Sequence, residues 1–285
     1  MTITNNNNNN PRATVLITGC SAGGIGSALV EDFHARGLHV FATARSLAKM
    51  AHLESLPHVT LLELDVESST SIAAAVETIT SKTGAKLDYL VNNSGINLNY
   101  PALDTDLEYA RRMFEVNFWG AVNVVQAFAP LMVARGSGTI VNNASLAGAM
   151  HTPWGSFYGA SKAAVKMYGE CLRLEMAPLG VKVVTVMTGI VGSKIFENSP
   201  HEALPETSYY KVAEKEIAEL AAGKLKESSM SAETYARNVV GDILGGANGV
   251  TWRGRISSIG WFLSSFVPTW LTDRALVTGS GLDRM

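Results

Sequence analysis

The chain has 285 residues, of which 47% are hydrophobic and 17% are charged, and its formal net charge at pH 7 is −2. This length and composition suit a globular domain with a large core, and the balanced charge does not favour nucleic-acid binding, which usually requires a basic excess. Two distant cysteines, Cys20 and Cys171, predict neither a disulfide framework nor a metal site. We therefore expect no metal, and a reducing compartment such as the cytoplasm.

Residues 1–11 contain six consecutive asparagines and no apolar segment of the secretory type. Such a composition is typical of a disordered tail, so the fold is expected to occupy residues 12–285. We find no apolar run of the roughly 18–20 residues that a membrane-spanning helix needs, and expect no transmembrane segment.

Short apolar runs alternate with helical segments as far as residue 187. Strands are expected at Thr14–Thr18, His39–Thr43, Val59–Leu64, Leu87–Asn92, Gly138–Ala144 and Val181–Met187. Helices are expected at Ile25–Arg36, Thr70–Thr83, Leu107–Ala134 and Ser156–Ala177. Because the strands are apolar throughout, they predict a parallel sheet that is covered on both faces. Right-handed crossovers then give a single-domain, doubly wound, Rossmann-like α/β fold.

The pattern becomes irregular after the sixth strand. Residues 189–231 are polar and partly helical, and we expect them to form a substrate lid, because ligands enter such sheets at the carboxyl ends of the strands. Residues 249–285 form a C-terminal extension with a last strand at Gly249–Gly254. The apolar segment Gly260–Leu271 is broken by Pro268. This segment could pack at a subunit interface or lie on a membrane surface. Its aromatic residues and lack of lysine favour protein packing over attraction to anionic lipids.

The glycine-rich segment Thr18–Gly26 follows the first strand and leads into the first helix. Glycines let the backbone turn sharply and approach a pyrophosphate, and a helix N-terminus adds free N–H groups and a positive dipole end. A tight turn without a ligand is the alternative, but the position at the start of a βαβ series favours a dinucleotide site. The candidate cofactor-binding residues of this turn are Gly19, Ser21, Gly24, Ile25 and Gly26.

The second strand ends in Ala44-Arg45-Ser46, where related folds that prefer NAD carry an acidic residue that binds the ribose 2′-hydroxyl. A guanidinium suits a 2′-phosphate through its charge and its forked donors. Arg45 and Ser46 therefore predict NADPH/NADP+ as cofactor, with a solvated surface arginine as the alternative. Asp65 and Val66, after the third strand, are candidates for contact with the adenine; Asp65 could instead cap the next helix.

Tyr158 and Lys162 share one face of a predicted helix because they are four residues apart. A phenol has a pKa of about 10, which a nearby ammonium and an oxidised nicotinamide would lower. Tyr158 would then protonate the alkoxide that forms when a hydride reaches a carbonyl. Ser145 is a candidate to polarise that carbonyl, and Asn117 to hold a water that links Lys162 to solvent. Singly, each of these residues also fits a structural role in packing, capping or backbone bonding.

These residues together resemble the short-chain dehydrogenase/reductase family over about residues 13–195. The matching pieces occur in family order: Thr18–Gly26, Asn92–Gly95, Asn117, Ser145 and Tyr158–Lys162. The resemblance implies a catalytic tetrad of Asn117, Ser145, Tyr158 and Lys162, and a role for Lys162 in holding the nicotinamide ribose. It also implies a homodimer or homotetramer and further cofactor-binding residues, namely Asn93, Gly95, Gly189, Val191 and Ser193.

Three departures from the family pattern point to a subgroup. Four residues rather than three separate Gly19 from Gly24, Ser94 replaces alanine, and Thr188 replaces proline before Gly189. The subgroup is similar to the NADPH-dependent acyl-dihydroxyacetone-phosphate reductases and related fungal reductases. This similarity adds a peripheral position at the endoplasmic reticulum or at lipid droplets as an alternative location.

An apolar pocket is expected on the substrate side, with ordinary core packing as the alternative for each residue. Its candidate lining residues are Met150, Trp154, Ile190, Phe196, Tyr209 and Tyr210. His151 lies near the expected site, although a surface or core role is the simpler interpretation. The apolar composition favours a lipid-like or polyketide-like substrate.

The sequence therefore predicts an NADPH-dependent reductase of ketones or aldehydes. The first alternative is an enzyme of the same fold that catalyses an isomerisation, dehydration or cyclisation. The second is a non-catalytic cofactor-binding protein, and the intact tetrad argues against it.

Overall fold

Seven parallel strands form one sheet in the computed structural model, which describes residues 12–200, 202–224 and 228–285. The tail expected at residues 1–11 lies outside the described residues. The strands are β1 Thr14–Ile17, β2 His39–Ala44, β3 Val59–Glu63, β4 Tyr89–Asn92, β5 Gly138–Asn143, β6 Val181–Thr188 and β7 Gly249–Arg253.

The strand order is β3-β2-β1-β4-β5-β6-β7, so the chain reverses its direction of winding between β1 and β4. Every residue of β1 is buried, as a central strand covered on both faces requires. In such sheets the ligand crevice lies at the carboxyl ends of the strands, next to the reversal point. The doubly wound, single-domain fold predicted from the alternation of strands and helices is confirmed.

Helices cover both faces of the sheet. The α-helices are α1 Ile25–Ala35, α2 Ser69–Thr83, α3 Leu107–Phe114, α4 Gly120–Val133, α5 Ser156–Met176, α6 Glu214–Ala221, α7 Ala232–Leu244, α8 Ser257–Phe266 and α9 Thr269–Val277. On one face, α1 and α7 bury residues such as Phe33 and Val239. On the other face, α2, α4 and α5 bury residues such as Ile79, Phe128 and Leu172.

The long helix expected at Leu107–Ala134 is interrupted. A π-helical turn, Glu115–Trp119, separates α3 from α4 and contains Asn117. By length and composition, Leu107–Val133 is apolar enough to cross a membrane, which corrects the expectation that no segment qualifies. Half of its most apolar stretch is buried inside the fold, as in the core helix of a globular protein.

The C-terminal third contains elements that the sequence pattern did not predict. Helix α7 begins after Ser231, whose hydroxyl accepts a hydrogen bond from the Thr234 N–H at 3.2 Å. Helices α8 and α9 meet at Pro268, where the apolar segment was expected to break. Both helices leave large apolar side chains exposed, namely Ile259, Trp261, Phe262, Phe266, Trp270 and Leu271. The lid region holds α6 and a 3₁₀ turn, Lys211–Ala213, joined by loops.

Two methionines provide a matched test of the core. Met132 on α4 is fully buried, whereas Met167 on α5 is 67% exposed. We expect Met132→Ala to lower the free energy of unfolding by about 2–5 kcal/mol, because it leaves a cavity. Met167→Ala should change it by less than about 0.5 kcal/mol. Urea denaturation measures both values, and equal losses in the two variants would contradict this packing.

Candidate active site

A cavity of about 1170 Å³ lies at the carboxyl ends of the strands. The loops that follow β1 to β6 all contribute to its wall, because parallel strands end at the same edge of the sheet. Segments from the lid and from the C-terminal extension close its other side.

The glycine turn has a backbone that other residues would not adopt. Gly19 and Gly23 both have φ of +74°, in the left-handed region. A Cβ atom on Gly26 would lie 2.3 Å from the carbonyl oxygen of Gly19, so the start of α1 can approach the turn only without a side chain. No side chain caps α1 at Gly24, and the first N–H groups of the helix therefore remain available for an anion.

The predicted residues of this turn take two positions. Gly19, Ser21, Gly24 and Ile25 line the cavity, whereas Gly26 lies behind it and provides close packing. The arrangement fits a pyrophosphate group, since it combines a cradle that a Cβ would fill with an uncapped helix N-terminus.

Arg45 is exposed and lines the cavity at the end of β2. In the described part of the chain no carboxylate pairs with Arg45, which leaves its guanidinium free to meet a ligand. Lys49 lines the same region and adds a second cation that the sequence reasoning missed, although its position four residues after Arg45 was a usable signal. Ser46 precedes the 3₁₀ turn Leu47–Leu53 and does not line the cavity.

Asp65 and Val66 line the cavity after β3. The carboxylate of Asp65 accepts a hydrogen bond from the Glu67 N–H at 3.0 Å, so part of its capacity is used within its own turn. The side chain that caps α2 is that of Ser68, which accepts from the Ser71 N–H at 3.2 Å. Asp65 is thus not the helix cap and retains acceptor capacity toward the cavity.

The loop after β4 is tied to the glycine turn. The Asn93 amide donates to the carbonyl oxygens of Thr18 and Gly19 at 3.0 and 3.2 Å. The Thr18 hydroxyl accepts from the N–H groups of Asn93 and Ser94 at 2.9 and 3.0 Å. A Cβ on Gly95 would lie 3.2 Å from Asn117 Oδ1, so this loop passes close to the residues of the predicted tetrad.

Asn117 lies in the π-helical turn with its side chain 2% exposed. Its Oδ1 accepts from the Ile96 N–H at 2.8 Å, and its Nδ2 donates to the Ile96 carbonyl and to Ser161 Oγ, both at 3.0 Å. Both amide hydrogens are therefore occupied. The side chain could hold a water linked to Lys162 only through the remaining lone pair of Oδ1, and its bonds hold the loop after β4 in place.

Tyr158, Lys162 and Ser145 meet at the cavity wall. The Lys162 ammonium donates to the main-chain carbonyl of Asn143 at 2.9 Å and lies 6.0 Å from the centre of the Tyr158 ring. The Ser145 hydroxyl lies close enough to the Tyr158 hydroxyl to act on its pKa, and Ser145 Oγ accepts from the Ala147 N–H at 3.2 Å. The two hydroxyls are thus close enough to bind one small polar group together.

Desolvation controls the protonation of this pair. Burial raises the pKa of Tyr158 above its usual value, and the hydrogen bond with Ser145 opposes the shift. Burial lowers the pKa of Lys162 to about 8. The sequence reasoning expected a lowered pKa for Tyr158, and the structure gives the opposite direction for the protein alone, because burial outweighs the favourable contacts. Tyr158 is therefore protonated at neutral pH, the form that donates a proton.

Four of the expected substrate residues, Met150, Trp154, Ile190 and Phe196, line the cavity, together with the cofactor candidates Gly189, Val191 and Ser193. The expectation for Tyr209 is corrected, because its side chain is 79% exposed and lies outside the cavity. Its neighbour Tyr210 packs edge-on against Trp154, with ring centres 5.3 Å apart, and does not line the cavity either.

Trp154 joins three segments around the substrate side. Its backbone has φ of +67°, a strained value for a residue other than glycine. Its indole donates to the Ser280 carbonyl at 3.0 Å, and its own carbonyl accepts from the Tyr100 N–H at 2.7 Å. These contacts fix the loop between Ser145 and Tyr158 against the C-terminal extension.

Several cavity residues had no usable signal in the sequence. They are Asn97 and Asn99 after β4, Lys194, Glu216 and Lys224 in the lid, and Ile256, Leu276 and Ser280 in the extension. His151 does not line the cavity; its ring bonds to Asp273 on α9 at 2.6 Å, and its side chain is 62% exposed. No group of three metal-ligating side chains is found within the described ranges.

The lowered pKa of Lys162 predicts a pH dependence of stability. Between pH 8 and 10 the unfolded chain holds more protons on Lys162 than the folded protein does, so stability rises with pH in this window. The gain attributable to Lys162 should reach at most about 3 kcal/mol. It should disappear in Lys162→Met, as measured by denaturation at pH 7.5, 8.5 and 9.5. If Lys166→Met on the same helix removes the same slope, Lys162 is not its source.

Comparisons with known proteins agree with this geometry. The family model described as short chain dehydrogenase matches residues 13–203. Short-chain dehydrogenase ptmH of Penicillium ochrochloron is 49% identical over 271 residues, which cover 95% of this chain and 99% of that protein. The NADPH-dependent 1-acyldihydroxyacetone phosphate reductase of Schizosaccharomyces pombe is 40% identical over 210 residues, which cover 72% of this chain and 70% of that protein.

Solved structures give the same fold. A short-chain dehydrogenase from Streptomyces avermitilis superimposes with a TM-score of 0.77 at 25% identity, covering 96% of this chain and 98% of that one. A short chain dehydrogenase from Burkholderia cenocepacia, in complex with NADP, has a TM-score of 0.72 at 25% identity and covers 94% and 98%. The chain is an oxidoreductase that belongs to the short-chain dehydrogenase family.

Proposed function

We propose that the protein reduces the carbonyl group of an apolar ketone or aldehyde to an alcohol with NADPH. The observation that carries the proposal is the protonated Tyr158 hydroxyl, next to Ser145 and close to the buried Lys162 ammonium, at the wall of a cavity that also contains the glycine turn. The Schizosaccharomyces pombe relative is described as NADPH-dependent and the Burkholderia cenocepacia structure contains NADP, which supports the choice of cofactor.

Different residues around the cavity would each bind one part of the cofactor. The uncapped start of α1 and the glycine turn would hold the pyrophosphate. Arg45 and Lys49 would hold the 2′-phosphate, for which two cations on one side of the cavity provide complementary charge. Lys162 would hold the nicotinamide ribose. When bound, NADPH supplies the hydride.

The chain's own groups supply the proton and the orientation. The hydroxyls of Ser145 and Tyr158 would both bond to the carbonyl oxygen, which orients the carbonyl and polarises it. Tyr158 then donates its proton to that oxygen as negative charge develops there. The Lys162 ammonium stabilises the phenolate that remains. The balance is one hydride to carbon and one proton to oxygen, and the product is an alcohol.

The substrate side of the cavity supports an apolar molecule. Met150 and Trp154 come from the loop before α5, Ile190 and Phe196 come from the region after β6, and all four line the same cavity. Apolar side chains from the extension, Ile256 and Leu276, complete the wall. Burial of an apolar substrate against these side chains would supply much of the binding free energy.

We expect Tyr158→Phe to lower the rate of carbonyl reduction at least about 100-fold, because the proton donor is lost. The affinity for NADPH should change little. Tyr168→Phe on the same helix is the matched control, since Tyr168 does not line the cavity. Steady-state kinetics and NADPH fluorescence titration measure the two quantities. Product formation without stoichiometric NADPH oxidation would favour an isomerisation, dehydration or cyclisation instead.

Arg45→Ala should lower kcat/KM for NADPH roughly 10- to 100-fold, because charged hydrogen bonds to the 2′-phosphate are lost. The kcat/KM for NADH should stay within about twofold of the wild-type value, since NADH has no 2′-phosphate. Arg111→Ala is the control, because Arg111 lies on α3 and does not line the cavity. An unchanged ratio of NADPH to NADH activity in Arg45→Ala would refute the proposed role.

A further inference from the structure

A chain of hydrogen bonds runs from α7 along the cavity wall to the glycine turn, and three of its members, Thr188, Asn143 and Asn93, line the cavity. The hydroxyls of Tyr235 and Thr188 are 2.5 Å apart, and Thr188 Oγ1 donates to Asn143 Oδ1. Asn143 Nδ2 donates to Asn93 Oδ1 at 2.8 Å. Asn93 Nδ2 donates in turn to the carbonyl oxygen of Gly19 at 3.2 Å. These bonds link four polar side chains, and the Tyr235 hydroxyl also lies 3.2 Å from Asn143 Oδ1, to which it can donate directly.

The direction of the chain is determined by its members. The final acceptor is a main-chain carbonyl, so Asn93 must present its Nδ2 to Gly19, and Asn143 must present its Nδ2 to Asn93. Asn143 is left with Oδ1 as an acceptor for Thr188. Since the Thr188 proton is used there, the Tyr235 hydroxyl donates to Thr188 Oγ1 or to Asn143 Oδ1 itself. Burial raises the pKa of Tyr235, which keeps that hydroxyl protonated and able to donate.

Asn143 connects this chain to the reacting groups. Its main-chain carbonyl accepts the hydrogen bond from the Lys162 ammonium at 2.9 Å. It lies at the end of β5, two residues before Ser145. Tyr235 does not line the cavity and is 1% exposed, and its hydrogen bonds toward the site are those to Thr188 and Asn143.

We infer that Thr188 and Tyr235 are positioning residues, which hold Asn143 so that its carbonyl places the Lys162 ammonium for the nicotinamide ribose of the cofactor. In the short-chain dehydrogenase family the usual residue at this position is proline, which has no hydroxyl and cannot form these hydrogen bonds. The inference rests on the proposed function for the role of Lys162, and its test uses binding as well as rate.

The test compares variants that remove one hydroxyl each. Thr188→Val and Tyr235→Phe each remove one of the two hydroxyls that donate to Asn143 Oδ1, and the double variant removes both. Thr185→Val is the matched control, because Thr185 lies on the same strand, is fully buried and has a hydroxyl without a hydrogen-bond partner among the described residues. Thr188→Ser keeps the hydroxyl and should recover most of any loss.

Binding of two ligands shows which part of the cofactor is affected by the variants. NADPH carries the nicotinamide ribose, whereas adenosine 2′,5′-bisphosphate carries only the adenine, its ribose and two phosphates. We expect Thr188→Val and Tyr235→Phe to weaken NADPH binding about three- to tenfold and to lower kcat by a similar factor. The double variant should lose more than either single variant, because each single variant leaves Asn143 Oδ1 one of its two hydroxyl donors. Binding of the bisphosphate should stay within about twofold in every variant.

Calorimetry and NADPH fluorescence titration provide the dissociation constants. The inference fails if Thr188→Val and Tyr235→Phe match Thr185→Val in NADPH affinity, if the double variant loses no more affinity than the worse single variant, or if Thr188→Ser recovers nothing. A wild-type protein that reduces no carbonyl but shows the expected pattern of NADPH binding would overturn the proposed function and leave this inference standing.

Discussion

Burial of the Lys162 ammonium is the constraint on which the site depends. A charged amine that is 5% exposed is costly unless polar groups surround it, and here the Asn143 carbonyl is its hydrogen-bond acceptor. The same loss of water keeps the Tyr158 hydroxyl protonated. Burial thus shifts both groups toward their neutral forms, and Lys162 stays charged at neutral pH because its pKa falls only to about 8.

The fold connects the loops around this site to one another. Asn93 joins the loop after β4 to the glycine turn, and Asn117 joins that loop to the helical layer through Ile96 and Ser161. Each amide is satisfied by main-chain or side-chain partners, which makes the loops rigid despite their irregular backbone. A cofactor would therefore meet a preformed groove.

Sequence reasoning reached the parts that depend on local pattern. The strands up to β6 lie within about two residues of their predicted bounds, because apolar runs and turns mark them directly. Tyr158 and Lys162 were expected on one helix face, and α5 places them so. The pKa direction of Tyr158 was missed, because it depends on burial. Likewise, the bond of His151 to Asp273 joins residues 122 positions apart, which no local pattern reveals.

The choice between Tyr209 and Tyr210 shows the same limit. Both residues are aromatic and adjacent, and only the position of Trp154 decides which ring packs inward. The π-helical turn at Asn117 is another such case, since its contacts are with Ile96, 21 residues away. Local periodicity predicts helix through this stretch and carries no information about those partners.

The end of the chain is part of the cavity wall. Ser280 accepts a hydrogen bond from Trp154, and Arg284 bonds to Glu216 on α6 at 2.6 Å. The family model ends at residue 203, before Ile256, Leu276 and Ser280, whereas the reacting groups all lie within it. Relatives can therefore diverge in the molecules they accept by changing their last forty or so residues, while the chemistry of the sheet edge stays intact.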